Sequence, residues 1–180
     1  MSDRFHVVTG GPGAGKTTLL DAFARRGFPV MPEAGRAVIR QQLAIGGQAL
    51  PWADRALFAE LMLGWELRSH GEAASTAGPV WFDRGVPDVA GYLCLSGLDV
   101  PGHVTRAAET VRYAPRVFVL PFWADIFHAD AERRQSPAEA RATCETMRQT
   151  YAGFGYELCE VPTGTVERRV DFILARLRAT

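Results

Sequence analysis

The sequence of 180 residues contains no asparagine, one lysine and three cysteines. The cysteines, at positions 94, 144 and 159, are far apart and form no C-x-x-C pair, which argues against a disulfide framework and a zinc ribbon. Acidic and basic side chains balance to a formal net charge of zero, so no strong field favours nucleic acid or an anionic membrane. We therefore expect a protein of the reducing cytoplasm that binds neither nucleic acid nor membrane.

Long apolar runs are also absent. No run approaches the roughly 20 residues that cross a bilayer, and a strand pattern already begins at Phe5, with no signal-peptide pattern before it. Hydrophobic residues make up 47% of the chain and charged residues 22%, the balance of a folded globular domain rather than a disordered one. We expect residues 1–180 to form a single domain, and the sequence gives no indication of its oligomeric state.

The single lysine lies in the most distinctive stretch of the sequence, VVTGGPGAGKTT, residues 7–18. Gly10, Gly15, Lys16 and Thr17 occupy every fixed position of the pattern G-x-x-x-x-G-K-[ST]. An apolar run precedes the pattern and a helical pattern follows it, the order that a phosphate-binding P-loop requires. All other long basic side chains are arginine, whose planar guanidinium does not fit between two phosphates as a slim ammonium does.

The P-loop predicts a site for ATP and Mg²⁺. Its backbone N–H groups are expected to surround the phosphates, with Lys16 at the β- and γ-phosphates and the Thr17 hydroxyl on Mg²⁺. The predicted nucleotide-binding residues of this loop are Gly10, Gly11, Pro12, Gly13, Ala14, Gly15, Lys16, Thr17 and Thr18.

Two other classes of P-loop protein fit this sequence poorly. GTP-dependent switches read guanine with an N/T-K-x-D motif, and the only lysine here belongs to the P-loop. A mechanical AAA motor usually has a longer module, with a sensor region and an arginine finger in trans, than this short chain provides. The sequence therefore favours a small ATP-dependent protein of another class.

Apolar runs and helical patterns alternate along the chain. The predicted strands are residues 5–9, 29–32, 80–82, 117–120 and 156–161. The predicted helices are residues 16–25, 35–45, 51–70, 88–95, 104–111, 137–151 and 166–177. This alternation predicts a parallel sheet covered by helices on both faces. Because ligands of such sheets bind at the carboxyl ends of the strands, the residues after each strand are the candidates for the site.

Charged residues follow the second and third predicted strands. Asp83 ends the third strand as a Walker-B-like Mg²⁺ ligand, and Arg84 is placed to stabilise a transferring phosphate. Glu33 follows the second strand and is a candidate base or acceptor ligand, with Arg36 one helical turn further on. The structural alternatives are helix capping for the two carboxylates, a surface salt bridge for Arg84 and a solvated position for Arg36.

The last two strand ends carry weaker signals. Residues 122–137 follow the fourth strand and resemble a lid, in which Arg133 and Arg134 would close over the phosphates; the alternative is a solvated charged turn. Pro162 and Thr163 follow the fifth strand, where a nucleotide base is expected to lie.

A predicted acceptor pocket lies on the helices beside the strand ends. Its candidate residues are Arg36, Arg55, Phe58, Trp65 and Tyr92. The alternative for the aromatic ones is the protein core, where an aromatic stripe at helical spacing more often lies.

Together these motifs resemble the small P-loop ATPases of the AAA_28 type, within the nucleoside- and nucleotide-kinase-like group. The matching stretches are VVTGGPGAGKTTLL, VMPEAGR, PVWFDRG, DAERRQ and GYELCEVP. PEAGR is also similar to the E-x-G-R of the nicotinamide riboside kinase domain in NadR-type proteins, and FDRG to the D-R or E-R-S step of thymidylate and deoxynucleoside kinases. The resemblance implies a three-layer P-loop NTPase fold, a five-stranded parallel sheet of order 2-3-1-4-5 with helices on both faces.

Carried over residue by residue, the resemblance implies a base at Glu33 and a pair at Asp83 and Arg84 that handles Mg²⁺ and phosphate. The sequence departs from deoxynucleoside kinases at Gly85, where they have serine. Two functions remain open. One is a phosphotransferase that moves the γ-phosphate of ATP to a small nucleoside- or nucleotide-like acceptor, and the other is a nucleotide-dependent ATPase or regulatory binding module without such transfer.

Overall fold

The computed structural model describes residues 3–126 and 136–177, which contain five strands and seven α-helices. In chain order these are β1 Phe5–Gly10, α1 Lys16–Arg25, β2 Val30–Met31, α2 Ala34–Ile45, α3 Arg55–Ala74, β3 Val80–Asp83, α4 Val86–Leu95, α5 Gly102–Thr110, β4 Arg116–Leu120, α6 Pro137–Gly153, β5 Glu157–Glu160 and α7 Val166–Leu177. A short 3₁₀ turn, Ala124–Ile126, follows β4.

The five strands form one parallel sheet in the order β2-β3-β1-β4-β5, which confirms the predicted order. β1 is buried along its whole length at the centre of the sheet. The chain builds β2 and β3 on one side of β1 and then β4 and β5 on the other. The P-loop therefore leaves the sheet where the strand order reverses, the place at which open α/β sheets bind ligands.

Helices cover both faces of the sheet and make it the middle layer of three. On one face α1 and α7 pack over Trp81, which stacks on Phe23 with ring centroids 4.0 Å apart. On the other face α3, α4 and α6 pack over Phe82 and the neighbouring β-strand residues. Within the described ranges, no helix combines the length and apolar character needed to cross a bilayer.

Four helices begin at residues other than those predicted: α2 one residue and α5 two residues earlier, and α3 and α4 at residues set by their capping contacts. α3 begins at Arg55 rather than residue 51, because the Asp54 side chain accepts a hydrogen bond from the Leu57 N–H at 2.9 Å and caps the helix there. α4 begins at Val86 rather than Asp88. Its first turn contains a proline, and Asp88 accepts a hydrogen bond from the Gly85 N–H at 3.0 Å.

In the α3 sequence, Leu57, Leu61 and Trp65 recur at every fourth position and predict a buried face. The face that is buried in the structure lies one residue further along the chain. Leu57 and Leu61 are 43% and 40% exposed, whereas Phe58 and Met62 are buried against α2 and α4. One acidic residue, Glu66, continues this buried face and is only 3% exposed. The rotation of α3 therefore brings a carboxyl group into the interior near the ends of β1 and β3.

Candidate active site

The P-loop joins β1 to α1, and the side chain of its lysine folds back onto the loop backbone. Lys16 is 4% exposed, and its Nζ donates hydrogen bonds to the carbonyl oxygens of Gly11 at 2.8 Å and Gly10 at 3.3 Å. Gly13 and Gly15 have φ values of 71° and 80°, in the left-handed region, and Gly15 is the N-cap of α1. Left-handed residues alternating with right-handed ones form a nest whose N–H groups converge on an anion.

The first two glycines of the loop are required by packing. A Cβ at Gly10 would lie 2.3 Å from the Leu120 carbonyl oxygen, and one at Gly11 would lie 2.3 Å from the Ala140 carbonyl oxygen. The loop therefore runs directly against β4 and α6. This contact explains the glycine at position 11, which the P-loop pattern itself does not require.

A cleft of about 390 Å³ opens on the β4–β5 side of the P-loop. Its lining residues come from the loop, the 3₁₀ turn and the start of α7, namely residues 13–18, Trp123, Ile126, residues 164–166 and Arg169. This volume lies in the range of small-molecule and cofactor sites. The cleft is therefore the candidate site for the base and ribose of a nucleotide whose phosphates lie on the P-loop.

The residues predicted to contact the base and to form a lid belong to the same side of the P-loop as this cleft. Pro162 and Thr163 are exposed and come directly before the lining residues 164–166, so their contact with a base stays a prediction. The proposed lid begins beside the cleft, where Trp123 and Ile126 line it. Arg133 and Arg134 lie outside the described residues.

A second group of charged side chains lies on the opposite, β2–β3 side of the P-loop. Arg84, directly after β3, donates from Nη1 to Asp88 at 2.9 Å and from Nε to Glu33 at 3.3 Å. Glu33, directly after β2, also forms an ion pair with Arg36 at 3.4 Å. The structure therefore brings the predicted residues Glu33, Arg36 and Arg84 into one network at the carboxyl ends of two neighbouring strands.

Arg84 has a strained backbone. Its φ of 76° lies in the left-handed region, where no other non-glycine residue of the described ranges is found. Such a conformation costs roughly 1–3 kcal/mol and persists where the surroundings fix it, as at functional sites. Here its N–H donates to the Val8 carbonyl at 3.0 Å and its side chain holds two carboxylates. The strain therefore supports a functional role for Arg84.

Asp88 is a site residue that the sequence analysis missed. Its Oδ1 accepts hydrogen bonds from Arg84 at 2.9 Å and from the Thr9 hydroxyl at 2.6 Å. Its Oδ2 accepts from the Gly85 N–H at 3.0 Å and from the Tyr151 hydroxyl at 2.6 Å. Asp88 thus fixes Arg84 relative to β1 and α6. The spacing of four residues between Arg84 and Asp88, typical of an ion pair on a helix, was the one signal that could have identified it.

Asp83 and Glu66 carry the strongest electrostatic perturbation of the acidic groups. Burial and the Glu33 carboxylate raise the pKa of Asp83 to about 6, against the lowering effect of Lys16 and Arg84. Burial, Asp88 and Asp83 raise the pKa of Glu66 well above its ordinary range. Glu66 was also missed, because a glutamate in a helical sequence usually lies on the solvent face.

The Arg84 guanidinium among these carboxylates stays charged. Burial by itself would lower the pKa of Arg84, but the carboxylates of Asp88, Glu33 and Asp83 outweigh burial and raise it above its ordinary value. Three cations, Lys16, Arg84 and Arg36, therefore lie among four buried or half-buried carboxyl groups, those of Glu33, Glu66, Asp83 and Asp88.

The donor atoms fit a magnesium ion held jointly with phosphates. Asp83 Oδ1 is buried and accepts no hydrogen bond from the described residues, so this oxygen is a candidate ligand for a metal ion. Thr17 follows Lys16 at the start of α1, on the P-loop side. No group of three or more acidic, histidine or cysteine ligands occurs in residues 3–126 and 136–177. Few protein ligands are expected of Mg²⁺, which takes the rest of its shell from phosphate and water.

The predicted acceptor residues divide between two places. Phe58 lies beside Glu33: a Cβ at Gly35 would be 3.7 Å from its ring and 3.9 Å from Glu33 Oε1. Tyr92 packs edge-on against Phe58 with centroids 5.2 Å apart. Arg55 is exposed and donates to the carbonyls of Pro51 and Ser96, at the outer end of α3.

Trp65 remains half-buried, in contact with the Arg68 guanidinium 4.2 Å from its ring. Phe58 and Met62 are both buried and lie close to Gly35, as Glu33 does. The acceptor role of Arg36, Arg55, Phe58, Trp65 and Tyr92 stays a prediction.

A family model described as an AAA domain, AAA_28, matches residues 5–169. The chain belongs to the AAA_28 family. The match extends from the start of β1 to Arg169 on α7 and so contains the P-loop, the charged network after β2 and β3, and residues 122–137, for which a lid is predicted. Membership confirms the resemblance drawn from the motifs.

Solved structures share the fold of this AAA_28 protein. A deoxyadenosine kinase from M. mycoides, with products dCMP and a flexible dCDP bound, superposes with a TM-score of 0.72 at 13% identity over 98% of this chain and 100% of that chain. A NadR protein in complex with NR superposes with a TM-score of 0.69 at 17% identity, over 99% of this chain and 50% of that chain. At these identities the likeness establishes the P-loop kinase-like fold and nothing finer.

One curated relative matches in sequence. It is the tRNA modification GTPase MnmE of Sphingopyxis alaskensis, 30% identical over 155 residues, which span 84% of this chain. The chain spans about a third of that relative's length, 32%. The chain of this AAA_28 protein, unlike a protein that reads guanine with an N/T-K-x-D motif, has no asparagine, and its only lysine is in the P-loop.

Replacing Asp83 with asparagine should stabilise the nucleotide-free protein. The pKa of Asp83 is about 6 in the folded state and ordinarily 3.8. Ionisation of this carboxyl group therefore lowers the free energy of unfolding as the pH rises from 3.8 to 6, and the full decrease is present above pH 6. Removing the charge should raise the free energy of unfolding by about 3 kcal/mol at pH 8 and have little effect at pH 4.

Urea unfolding at the two pH values measures this difference. Asp99→Asn is the matched control, because Asp99 is exposed in a loop and its change should leave stability within about 0.5 kcal/mol of wild type. An Asp83→Asn protein less stable than wild type at pH 8 would show that the carboxylate is a structural group rather than a strained ligand.

Proposed function

We propose that this protein is an ATP-dependent phosphotransferase that moves the γ-phosphate to a hydroxyl or phosphate oxygen of a small nucleoside- or nucleotide-like acceptor. The observation that carries the proposal is the division of the site by the P-loop. The nucleotide cleft opens on the β4–β5 side, and a buried carboxylate–arginine network lies on the β2–β3 side. A phosphotransferase needs an acceptor site beside its nucleotide site, and this network supplies charged residues for one.

The donor half would bind ATP through the P-loop. Lys16 and the N–H groups at the start of α1 would hold the phosphates, and the base and ribose would enter the cleft beside Trp123 and residues 164–166. Thr17 and Asp83 would hold Mg²⁺, which neutralises phosphate charge when bound.

The acceptor half would orient and deprotonate the attacking group. Glu33 would accept the proton of an acceptor hydroxyl as its oxygen bonds to phosphorus and the bond to the leaving β-phosphate oxygen breaks. Arg84, held by Asp88, would face the charge that develops on the transferring group, since a fixed guanidinium costs no reorganisation at that moment. An acceptor ring bound beside Gly35 would contact Phe58 and Met62, apolar side chains suited to the flat face of a base or nicotinamide-like ring.

The names of the similar structures support an acceptor of this class. One is a deoxyadenosine kinase with dCMP and dCDP bound, and another is a NadR protein with NR. Both match over nearly the whole of this chain. The acceptor class rests on these likenesses and on the chemistry of Glu33, Arg36 and Arg84.

One observation favours the alternative, a nucleotide-dependent ATPase or regulatory module. Glu33 is already paired with both Arg84 and Arg36, and such a closed network also suits a protein with no acceptor. The AAA_28 name and the GTPase relative are compatible with that function as well.

A metabolite screen tests the proposal. Purified protein with ATP and Mg²⁺ is incubated with nucleosides, nucleotides and their nicotinamide and sugar analogues, and new phosphorylated products are read by mass. The Lys16→Ala protein is the control for contaminating kinases. We expect one acceptor class to accelerate ATP consumption with stoichiometric product, whereas ATP hydrolysis that no acceptor accelerates would favour the regulatory module.

A further inference from the structure

Arg169 is a buried cation on α7 whose position the proposed function does not explain. It is 3% exposed, yet within the described residues it forms no ion pair with a carboxylate. Nη1 and Nη2 both donate to the Ala14 carbonyl oxygen, at 3.1 and 3.2 Å, and Nε has no hydrogen-bond partner in that part of the chain. Buried charges are normally paired, so this arrangement calls for a nearby anion.

The guanidinium lies directly behind the P-loop. A Cβ at Gly15 would be 2.9 Å from Arg169 Nη1, and the Trp123 ring covers the guanidinium with 5.8 Å between its centroid and Cζ. All of these residues line the nucleotide cleft. Arg169 is therefore shielded from water on one side by Trp123 and faces the phosphate-binding loop on the other.

The hydrogen bonds to Ala14 determine the direction of one peptide group. In a trans peptide the C=O and the following N–H point in opposite directions, so a fork that holds the Ala14 oxygen turns the Gly15 N–H away from Arg169. Gly15, with φ of 80°, is the N-cap of α1, where N–H groups meet an anion. The positive guanidinium beside the Ala14 carbonyl oxygen also polarises the peptide group and strengthens the Gly15 N–H as a donor.

We propose that Arg169 is a positioning residue for the nucleotide phosphates, which orients the Ala14–Gly15 peptide and supplies a buried charge that the bound polyphosphate offsets. This inference rests on the proposed ATP site and names a residue 155 positions away in the chain that completes it. Because Arg169 acts through the P-loop, its replacement should weaken binding of the phosphates and not binding of the base.

Binding of inorganic triphosphate and of ATP, measured by calorimetry with the full chain, separates these roles. Arg169→Met should weaken both ligands by about 10- to 100-fold, because two hydrogen bonds from a charged donor and the charge are lost. Arg169→Lys keeps the charge without the fork and should lie between Met and wild type. Arg168→Met is the matched control, since Arg168 is the exposed neighbour on the same helix and should bind as wild type does.

The outcomes are distinct. An Arg169→Met protein that loses ATP affinity but binds triphosphate normally would overturn the proposal, because the residue would then act on the base or ribose. Thermal unfolding shows whether the Met variant folds; if it does not, equal triphosphate affinity of the Lys variant and wild type overturns the proposal. A wild-type protein that binds neither ligand would instead refute the nucleotide site itself, and this proposal with it.

Discussion

Lys16→Ala should lower ATP-dependent turnover by about 10²- to 10³-fold or more, the scale on which a positioned charge acts at a developing anion. The lysine is 4% exposed and held by the carbonyls of Gly10 and Gly11, so its ammonium is already in place over the loop. Arg25→Ala, at the exposed opposite end of α1, is the control and should retain activity.

Lys16→Arg should not restore function. The loop is closed tightly around the lysine, and a planar guanidinium cannot take the place of a compact ammonium between two phosphates. A mutant that recovers substantial turnover with arginine would show that only charge matters here. The kinetic comparison of Ala, Arg and wild type, each with a measured ATP affinity, decides the point.

The lone lysine gives a direct chemical test as well. An acyl-phosphate derivative of ATP that reacts with amines should modify one side chain, identified by peptide mapping, and free ATP should protect it. Because Lys16 is the single lysine of the 180 residues, no other lysine can compete for the reagent. Labelling of Lys16 that excess ATP leaves unchanged would contradict the P-loop assignment.

The fold and the P-loop could be predicted because their signals are local. The strand, loop and helix of the P-loop follow one another within residues 5–25, and the alternation of strands and helices determines a parallel sheet. The proximity of Glu33, Asp83 and Arg84 could be predicted for the same reason, since each lies at or just after the end of a strand and the carboxyl ends of parallel strands meet at one edge; their roles stay predictions.

The residues that sequence reasoning missed act over long separations. Asp88 joins Thr9 and Tyr151, at separations of 79 and 63 residues, and Arg169 joins Ala14 across 155 residues. None of these pairs leaves a periodic pattern. Glu66 was hidden because the apolar repeat of α3 suggested a different buried face from the one that packs on α2 and α4. Long-range hydrogen bonds and helix rotation come from tertiary packing, which local patterns do not encode.

Glu33→Gln should cut phosphorylation of the acceptor by about 10²-fold or more while leaving ATP affinity nearly unchanged, the usual scale for losing a positioned base. The carboxylate lies after β2, on the far side of the P-loop from the nucleotide cleft, and its neighbours are Arg84, Arg36 and Phe58. Glutamine keeps the size and can still accept hydrogen bonds from both arginines, but it cannot take a proton.

The measurements are single-turnover transfer, steady-state ATP hydrolysis without acceptor and ATP binding, all on the same protein. Glu72→Gln is the matched control, because Glu72 is an exposed carboxylate paired with an arginine, Arg68, at helical spacing. Transfer should fall far more than hydrolysis, since water needs neither the acceptor pocket nor Glu33. If Glu33→Gln lowers transfer and hydrolysis equally, or weakens ATP binding, the carboxylate belongs to the nucleotide half, and the ion-pair network after β2 and β3 would then fit a regulatory ATPase better than a kinase.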